Sequence, residues 1–143
     1  MNIYGQEYVL GFMFSKEKDR VVLMTKNKPA WQAGKLNGLG GKIEPNENIL
    51  DAMVREFKEE TGVLQEEWIL GPVISRFGEF RVFIYKCYSD KIDDVKTMEV
   101  EEVGVYPVTE NMQASTIQPQ IENLSWIIPM LLDEAIDYNI NFR

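Results

Sequence analysis

The sequence predicts an α/β chain, in the broad sense that includes α+β, with a mixed β-sheet flanked by helices. Three observations predict it. The 143 residues are 45% apolar and 27% charged, the composition of an ordinary globular domain able to hide roughly two thirds of its unfolded surface. Short β-rich apolar runs give way to a helical period between positions 47 and 61. The resulting order of strands, loop, helix, strands, helix fits a mixed sheet better than a regular βαβ repeat.

Each element has a local reason. Residues 8–14 and 20–25 are β-rich runs joined by the charged turn Ser15-Lys16-Glu17-Lys18-Asp19, the profile of a hairpin. The stretch 26–35 is polar and holds Pro29 and Gly34, so it reads as a loop. It leads into Asn37-Gly38-Leu39-Gly40-Gly41, where glycines permit positive φ and close backbone approach, and then into a second loop over 42–48 with Pro45. From 47 to 61 the apolar residues Ile49, Leu50, Met53, Val54 and Phe57 fall on one helical face, and Gly62 supplies a stop. Residues 68–76, 80–89 and 100–108 read as strands, with turns at Gly71-Pro72, Gly78 and Ser89-Asp90. After a polar loop ending at Pro119, residues 121–138 carry apolar side chains at helical spacing. No repeat, low-complexity block or linker divides the chain, so a single domain over 1–143 is expected.

Absences narrow the chemistry. There is no histidine and only one cysteine, Cys87. That removes Ser-His-Asp and Cys-His triads, imidazole or thiolate zinc sites, and an intrachain disulfide. Catalysis must then run on carboxylates, Lys, Arg, Tyr or a hard metal ion. Fifteen Lys and Arg against 23 Asp and Glu give a net charge of −8, which argues against a protein that coats duplex nucleic acid. The longest apolar runs, 9–14 and 126–132, are far shorter than the roughly 18 residues of a membrane span. The first residues, Met1-Asn2-Ile3-Tyr4-Gly5-Gln6-Glu7, lack the pattern of a secretory signal, so a cytoplasmic location is expected.

The informative stretch is Arg55-Glu56-Phe57-Lys58-Glu59-Glu60-Thr61-Gly62. On a helix, Glu56, Glu59 and Glu60 share one narrow sector beside the apolar stripe, because residues three and four apart are neighbours. Like charges so spaced invite a counterion, and Arg55 can reach Glu59 one turn on. An oxygen-rich site without nitrogen or sulfur ligands suits Mg²⁺ or Mn²⁺, which bridge carboxylates to phosphates.

Around that helix the spacing is Gly41, five residues, Glu47, seven residues, Arg55-Glu56, Phe57, Lys58, Glu59-Glu60, Thr61, Gly62, Val63. This resembles the complete signature box of the Nudix hydrolase family, here over 41–63, with every fixed position filled. The resemblance implies a Nudix-type α/β/α sandwich around a mixed sheet and Mg²⁺-dependent (or Mn²⁺-dependent) hydrolysis of a nucleoside diphosphate derivative. It implies that Glu56, Glu59 and Glu60 hold the metal with the carbonyl of Gly41, that Arg55 orients the cluster, and that Glu47 stabilises the box. Glu56, Glu59 and Arg55 are the expected catalytic residues. The family commonly adds a glutamate from beyond the central strands; Glu99, Glu101 and Glu102 are candidates, with Glu102 preferred.

The segment Lys35-Leu36-Asn37-Gly38-Leu39-Gly40-Gly41-Lys42 is similar to that of MutT-like and oxidised-purine triphosphatases. The similarity implies that Asn37 contacts the base and Lys42 a phosphate. Ser125-Trp126-Ile127-Ile128-Pro129 looks like the start of the last helix in the oxidised purine nucleoside triphosphatases. The acidic pair expected just before it is replaced by Ile121, Asn123 and Leu124. Asn123 and a stacking Trp31 are therefore the remaining base-binding candidates. The expected reaction releases a nucleoside monophosphate and pyrophosphate, with 8-oxo-dGTP among the candidate substrates. Nucleotide sugars, ADP-ribose, dinucleotides, capped RNA and a non-catalytic sensing module are the alternatives. The expected partner is a small nucleotide, not duplex nucleic acid or membrane, and the chain is expected to work as a monomer or homodimer.

Overall fold

The computed structural model describes residues 5–108 and 124–136. In chain order the elements are β1 (Gln6–Phe14), β2 (Arg20–Thr25), β3 (Leu36–Asn37), β4 (Leu39–Lys42), α1 (Ile49–Thr61), β5 (Ile69–Arg76), β6 (Phe80–Tyr88), β7 (Val103–Pro107) and α2 (Leu124–Leu132). The strands form one mixed sheet in the order β3-β2-β1-β6-β5, with β4 on β1 and β7 on β2.

Strand β1 is its axis. It runs parallel to β6 over its whole length, from Gln6 opposite Phe80 to Phe14 opposite Tyr88. Its other edge is shared. The Ser15–Asp19 turn, in which the Ser15 hydroxyl accepts from the Asp19 and Arg20 amides, starts β2 beside Phe14. β2 then diverges to pair with β3 and β7. The vacated edge of β1 is taken by β4, with Tyr8 opposite Lys42 and Gly11 opposite Leu39.

The glycine-rich segment 37–41, expected to permit positive φ and close backbone approach, lies on two short strands. Among the described residues positive-φ glycines are found only at 5, 34, 62 and 78. At 38, 40 and 41 glycine serves close approach instead. A Cβ on Gly40 would lie 1.9 Å from the Val9 carbonyl oxygen, so no side chain can stand between β4 and β1 there. The third late strand is also shorter than the expected 100–108, because 95–102 forms a loop.

Period-two alternation sorts the core into two faces. Val9, Met13, Val22, Met24, Phe83 and Tyr85 pack against Ala52, Met53 and Phe57 of α1. Phe12, Phe14, Val21, Leu23 and Ile84 pack against Leu124, Ile127, Ile128 and Leu131 of α2. The result is the expected three layers, helix, sheet, helix. On α1, Met53 and Phe57 are fully buried, each contributing roughly 1.5–3 kcal/mol by the area it removes from water. Phe57 also meets Trp68 edge to face at 5.1 Å. Leu50, expected on the apolar stripe, is exposed instead; Ala52 takes the buried place. Among the described residues no helix is long and apolar enough to cross a membrane.

Candidate active site

Helix α1 starts where the Asn48 side chain accepts from the Leu50 amide and ends at Gly62 in the left-handed conformation (φ 78°). Fixing both ends while Met53 and Phe57 anchor one face sets the rotation of the helix. That rotation turns Glu56 and Glu60 toward the end of β4 and leaves Glu59 about half exposed. The three carboxylates expected in one cluster are thus divided. Among the described residues no three acidic or cysteine side chains encircle a point at metal distance by themselves.

Arg55 organises the surroundings. Its Nε and Nη2 donate to the two oxygens of Glu47 at 2.7 and 2.9 Å, a forked pair. Its Nη1 donates to Glu56 at 2.9 Å and to Glu59 at 3.3 Å. Nη2 also reaches the Lys42 carbonyl at 3.1 Å, tying α1 to the end of β4. Glu47 in turn accepts from the Glu44 amide at 3.0 Å. The hydrogen bonds from Arg55 hold the Glu47 carboxyl below the usual range, and Glu47 and Glu56 raise the Arg55 guanidinium.

Glu60 is the unusual group. It is 5% exposed, and its Oε2 has no hydrogen-bond partner. Burial, then the charge and carboxyl of Glu56, push its pKa up to about 9. A buried acceptor without a donor costs roughly 1–3 kcal/mol, and a protein keeps one where a ligand supplies the missing partner. Gly41 lies against Glu56: a Cβ there would sit 2.7 Å from the Glu56 carboxyl carbon. Glu56 and Glu60, with the Gly41 backbone against the Glu56 carboxyl, bring hard oxygens together at the edge of the core. This set fits Mg²⁺ or Mn²⁺ in its donor chemistry.

The loop 95–102 lies beside the C-terminal end of α1, with the Lys96 amide bonded to Thr61 O and the Met98 amide to Glu60 O. Of its three acidic candidates, Glu99 is the one whose charge reaches Glu60. Glu102 is exposed, and its backbone carbonyl receives the Thr25 amide. Glu101 is engaged with Lys26 at 3.0 Å and with the Asn27 amide at 2.5 Å.

On the neighbouring strand β3, Asn37 is buried. Its Oδ1 accepts from the Gly38 amide at 2.7 Å and its Nδ2 donates to Gln32 Oε1 at 3.1 Å. Trp31, on a short 3₁₀ turn (Ala30–Gln32), is 62% exposed. Lys42 ends β4 with an exposed side chain. Asn123 lies outside the described residues. Trp126 is 42% exposed on α2. Burial pushes the Cys87 thiol well up, which leaves it inert.

Two participants escaped the sequence reading. Gln32 orients Asn37 across a loop, and Lys26 places its charge near Glu60. Neither leaves a periodic or spaced signal, since both contacts arise only when loops fold back on the sheet.

A family model described as NUDIX domain matches residues 6–127. No curated protein matches the chain. Among solved structures, a MutT NUDIX hydrolase from Burkholderia pseudomallei superposes with a TM-score of 0.69 at 18% identity, covering 89% of this chain and 98% of its own. A chain from a study of MutT from Aliivibrio salmonicida and Vibrio cholerae gives 0.60 at 22% identity, over 71% of this chain and 79% of that one. A mutator MutT protein from Bacillus halodurans gives 0.62 at 20% identity, over 88% and 81%. At these identities the likeness is one of fold.

Proposed function

The chain belongs to the NUDIX family as a Nudix hydrolase, and from that premise we propose that it hydrolyses a nucleoside triphosphate to the monophosphate and pyrophosphate with bound Mg²⁺ or Mn²⁺. The observation that carries the reading is the buried Glu56–Glu60 pair with its unpartnered oxygen.

Glu56, Glu60 and the Gly41 carbonyl would hold the ion, and Glu99 fits a further position better than Glu102. A bound divalent cation supplies positive charge to phosphate oxygens and lowers the pKa of a coordinated water. Arg55 holds Glu56 and Glu59 in place by its Nη1 hydrogen bonds. Glu56 or Glu59 would take the proton of the attacking water. Lys42 meets a phosphate. Asn37, held by Gln32, offers its amide to the base, and the exposed face of Trp31 is available for stacking. An oxidised purine such as 8-oxo-dGTP is a substrate candidate. The proposal extends to a single-domain cytoplasmic protein acting on free nucleotides as a monomer or homodimer.

The test is a pyrophosphate-release screen over normal and oxidised nucleoside triphosphates, with nucleotide sugars and dinucleotides alongside. Release from at least one triphosphate, abolished by chelator, is the expected result. A preference for dinucleotides or sugars over every triphosphate refutes the substrate class.

A further inference from the structure

Asn37 and Gln32 form a hydrogen-bond relay whose direction is fixed at one end by the backbone. The Gly38 amide can only donate, so the Asn37 atom it meets at 2.7 Å is the oxygen. The other arm of the Asn37 amide is then Nδ2, which donates at 3.1 Å, so the Gln32 atom that receives it is Oε1. Gln32 Nε2 is left as the free end of the relay. Both side-chain oxygens have received a hydrogen, while the second hydrogen of Asn37 Nδ2 and both hydrogens of Gln32 Nε2 have no acceptor among the described residues.

The relay stands on a fixed mount. Asn37 is buried on β3 opposite Met24, and Gly38 lies so close over the Phe12 ring that a Cβ there would come within 2.7 Å of it. Half-buried Gln32 ends the 3₁₀ turn Ala30–Gln32. Its amide donates to Pro29 O at 2.9 Å, and its carbonyl accepts from the Lys35 amide at 2.8 Å. The backbone of the turn is thus satisfied, and exposed Trp31 stands beside Gln32 on it.

Two N–H groups separated by a single amide suit a ligand with neighbouring acceptors. Among purines that is the O6 and N7 edge of a 6-oxo base, whereas adenine carries an amino group at position 6 and would set donor against donor. We propose that Gln32 is a specificity-determining residue whose amide nitrogen donates to the carbonyl at position 6 of the base, so that the site takes 6-oxo purine nucleotides in preference to 6-amino ones. The inference rests on the reading of Asn37 as a base contact and adds the residue that decides between the two purine types. Oxidation at C8 leaves O6 in place, so the contact serves an oxidised guanine as well.

The test is the ratio of kcat/KM for dITP to that for dATP, two purine triphosphates that differ at position 6 and in the proton on N1. Wild type is expected to favour dITP. Gln32→Glu keeps an acceptor for Asn37 Nδ2 but puts a carboxylate oxygen where the free N–H stood. It is expected to move the ratio toward dATP on the order of tenfold or more, mainly through KM, because the base contact is made alike in ground and transition states. Gln32→Met, which has neither donor nor acceptor, is expected to move the ratio by less. A residue that only shaped the loop would cost both substrates equally, and a ratio taken within one variant is insensitive to its folded fraction. An unchanged ratio in Gln32→Glu, or a wild type that favours dATP, overturns the role of Gln32. Asn37→Ala, measured in parallel, separates that role from its premise. A change of base ranking in Asn37→Ala with none in Gln32→Glu overturns Gln32 alone; equal losses for every base in both variants overturn base reading by the whole relay. A wild-type chain that hydrolyses no nucleoside triphosphate overturns the triphosphate reading and the specificity assignment together.

Discussion

The carboxyl of Glu60 is buried against that of Glu56, with one oxygen facing no donor and a pKa pushed up to about 9. The two groups lie one turn apart on the same side of α1, and the burial of Met53 and Phe57 fixes the rotation that keeps them at the edge of the core.

A pH dependence of stability follows. Between the usual glutamate range and about 9, the folded chain keeps a proton on Glu60 that the unfolded chain has released. Without metal, the contribution of this group therefore falls as pH rises through that window. In chelator at pH near 8, Glu60→Gln is expected to melt at a higher temperature than wild type, and its melting temperature to vary less with pH. Metal binding near pH 7 should release about one proton, read by calorimetry in buffers of different ionisation heat. A wild-type chain that gains stability from pH 5 to 9 relative to Glu60→Gln contradicts the burial argument.

Adjacent glycines should fail differently. Gly41→Ala puts a methyl group 2.7 Å from the Glu56 carboxyl, and displacing a catalytic group by about an ångström costs roughly 10² in rate. Its fold should survive, since the Glu56 side chain can give way. Gly40→Ala instead meets the Val9 carbonyl at 1.9 Å, breaking the β1–β4 pairing at a cost of about 2–4 kcal/mol. Steady-state kinetics and thermal melts on the two variants separate these effects.

Arg55 tests the value of its fork. Lysine cannot grip both oxygens of Glu47 while also reaching Glu56 and the Lys42 carbonyl. Arg55→Lys is expected to lower kcat roughly 10- to 100-fold, the usual effect of losing a group that orients metal ligands. Glu47→Gln should act in the same direction, and a drop in pH through the depressed range of Glu47 should weaken the same contact. Wild-type kcat in Arg55→Lys would mean that Glu56 needs no orientation.

Base selection is the most local of the expectations. Removing the amide in Asn37→Ala should change the ranking among purine and pyrimidine triphosphates by roughly tenfold. Gln32→Ala, which frees the Asn37 Nδ2 now held at 3.1 Å, should shift the same ranking by less. Equal losses for every base would reduce Asn37 to a residue that shapes the turn through the Gly38 amide.

Several parts of this molecule were legible before any fold was known. The β-rich runs at 8–14 and 20–25, split by a charged turn, gave two strands, because a short apolar run bounded by turn residues favours extended backbone whatever lies beyond it. The stop at Gly62 and the stripe at Met53 and Phe57 marked the helix for the same local reason, whereas the cap at Asn48 emerged with the structure. In the glycine segment both positive φ and close approach were open to the sequence, and only the Val9 carbonyl decides for close approach at Gly40.

What the sequence determined by itself is the identity and order of the groups: a glycine, an arginine and four glutamates at helical and loop spacings that place hard oxygens near one another. Tertiary structure decided their division of labour. Burial is a property of the whole packed chain, so only the sheet and the loop 95–102 could make Glu60 dry and neutral while leaving Glu59 in water. Likewise, the partner of Lys26 is 75 residues away along the chain, and a contact at that separation has no trace in local periodicity; it exists because β7 returns beside β2.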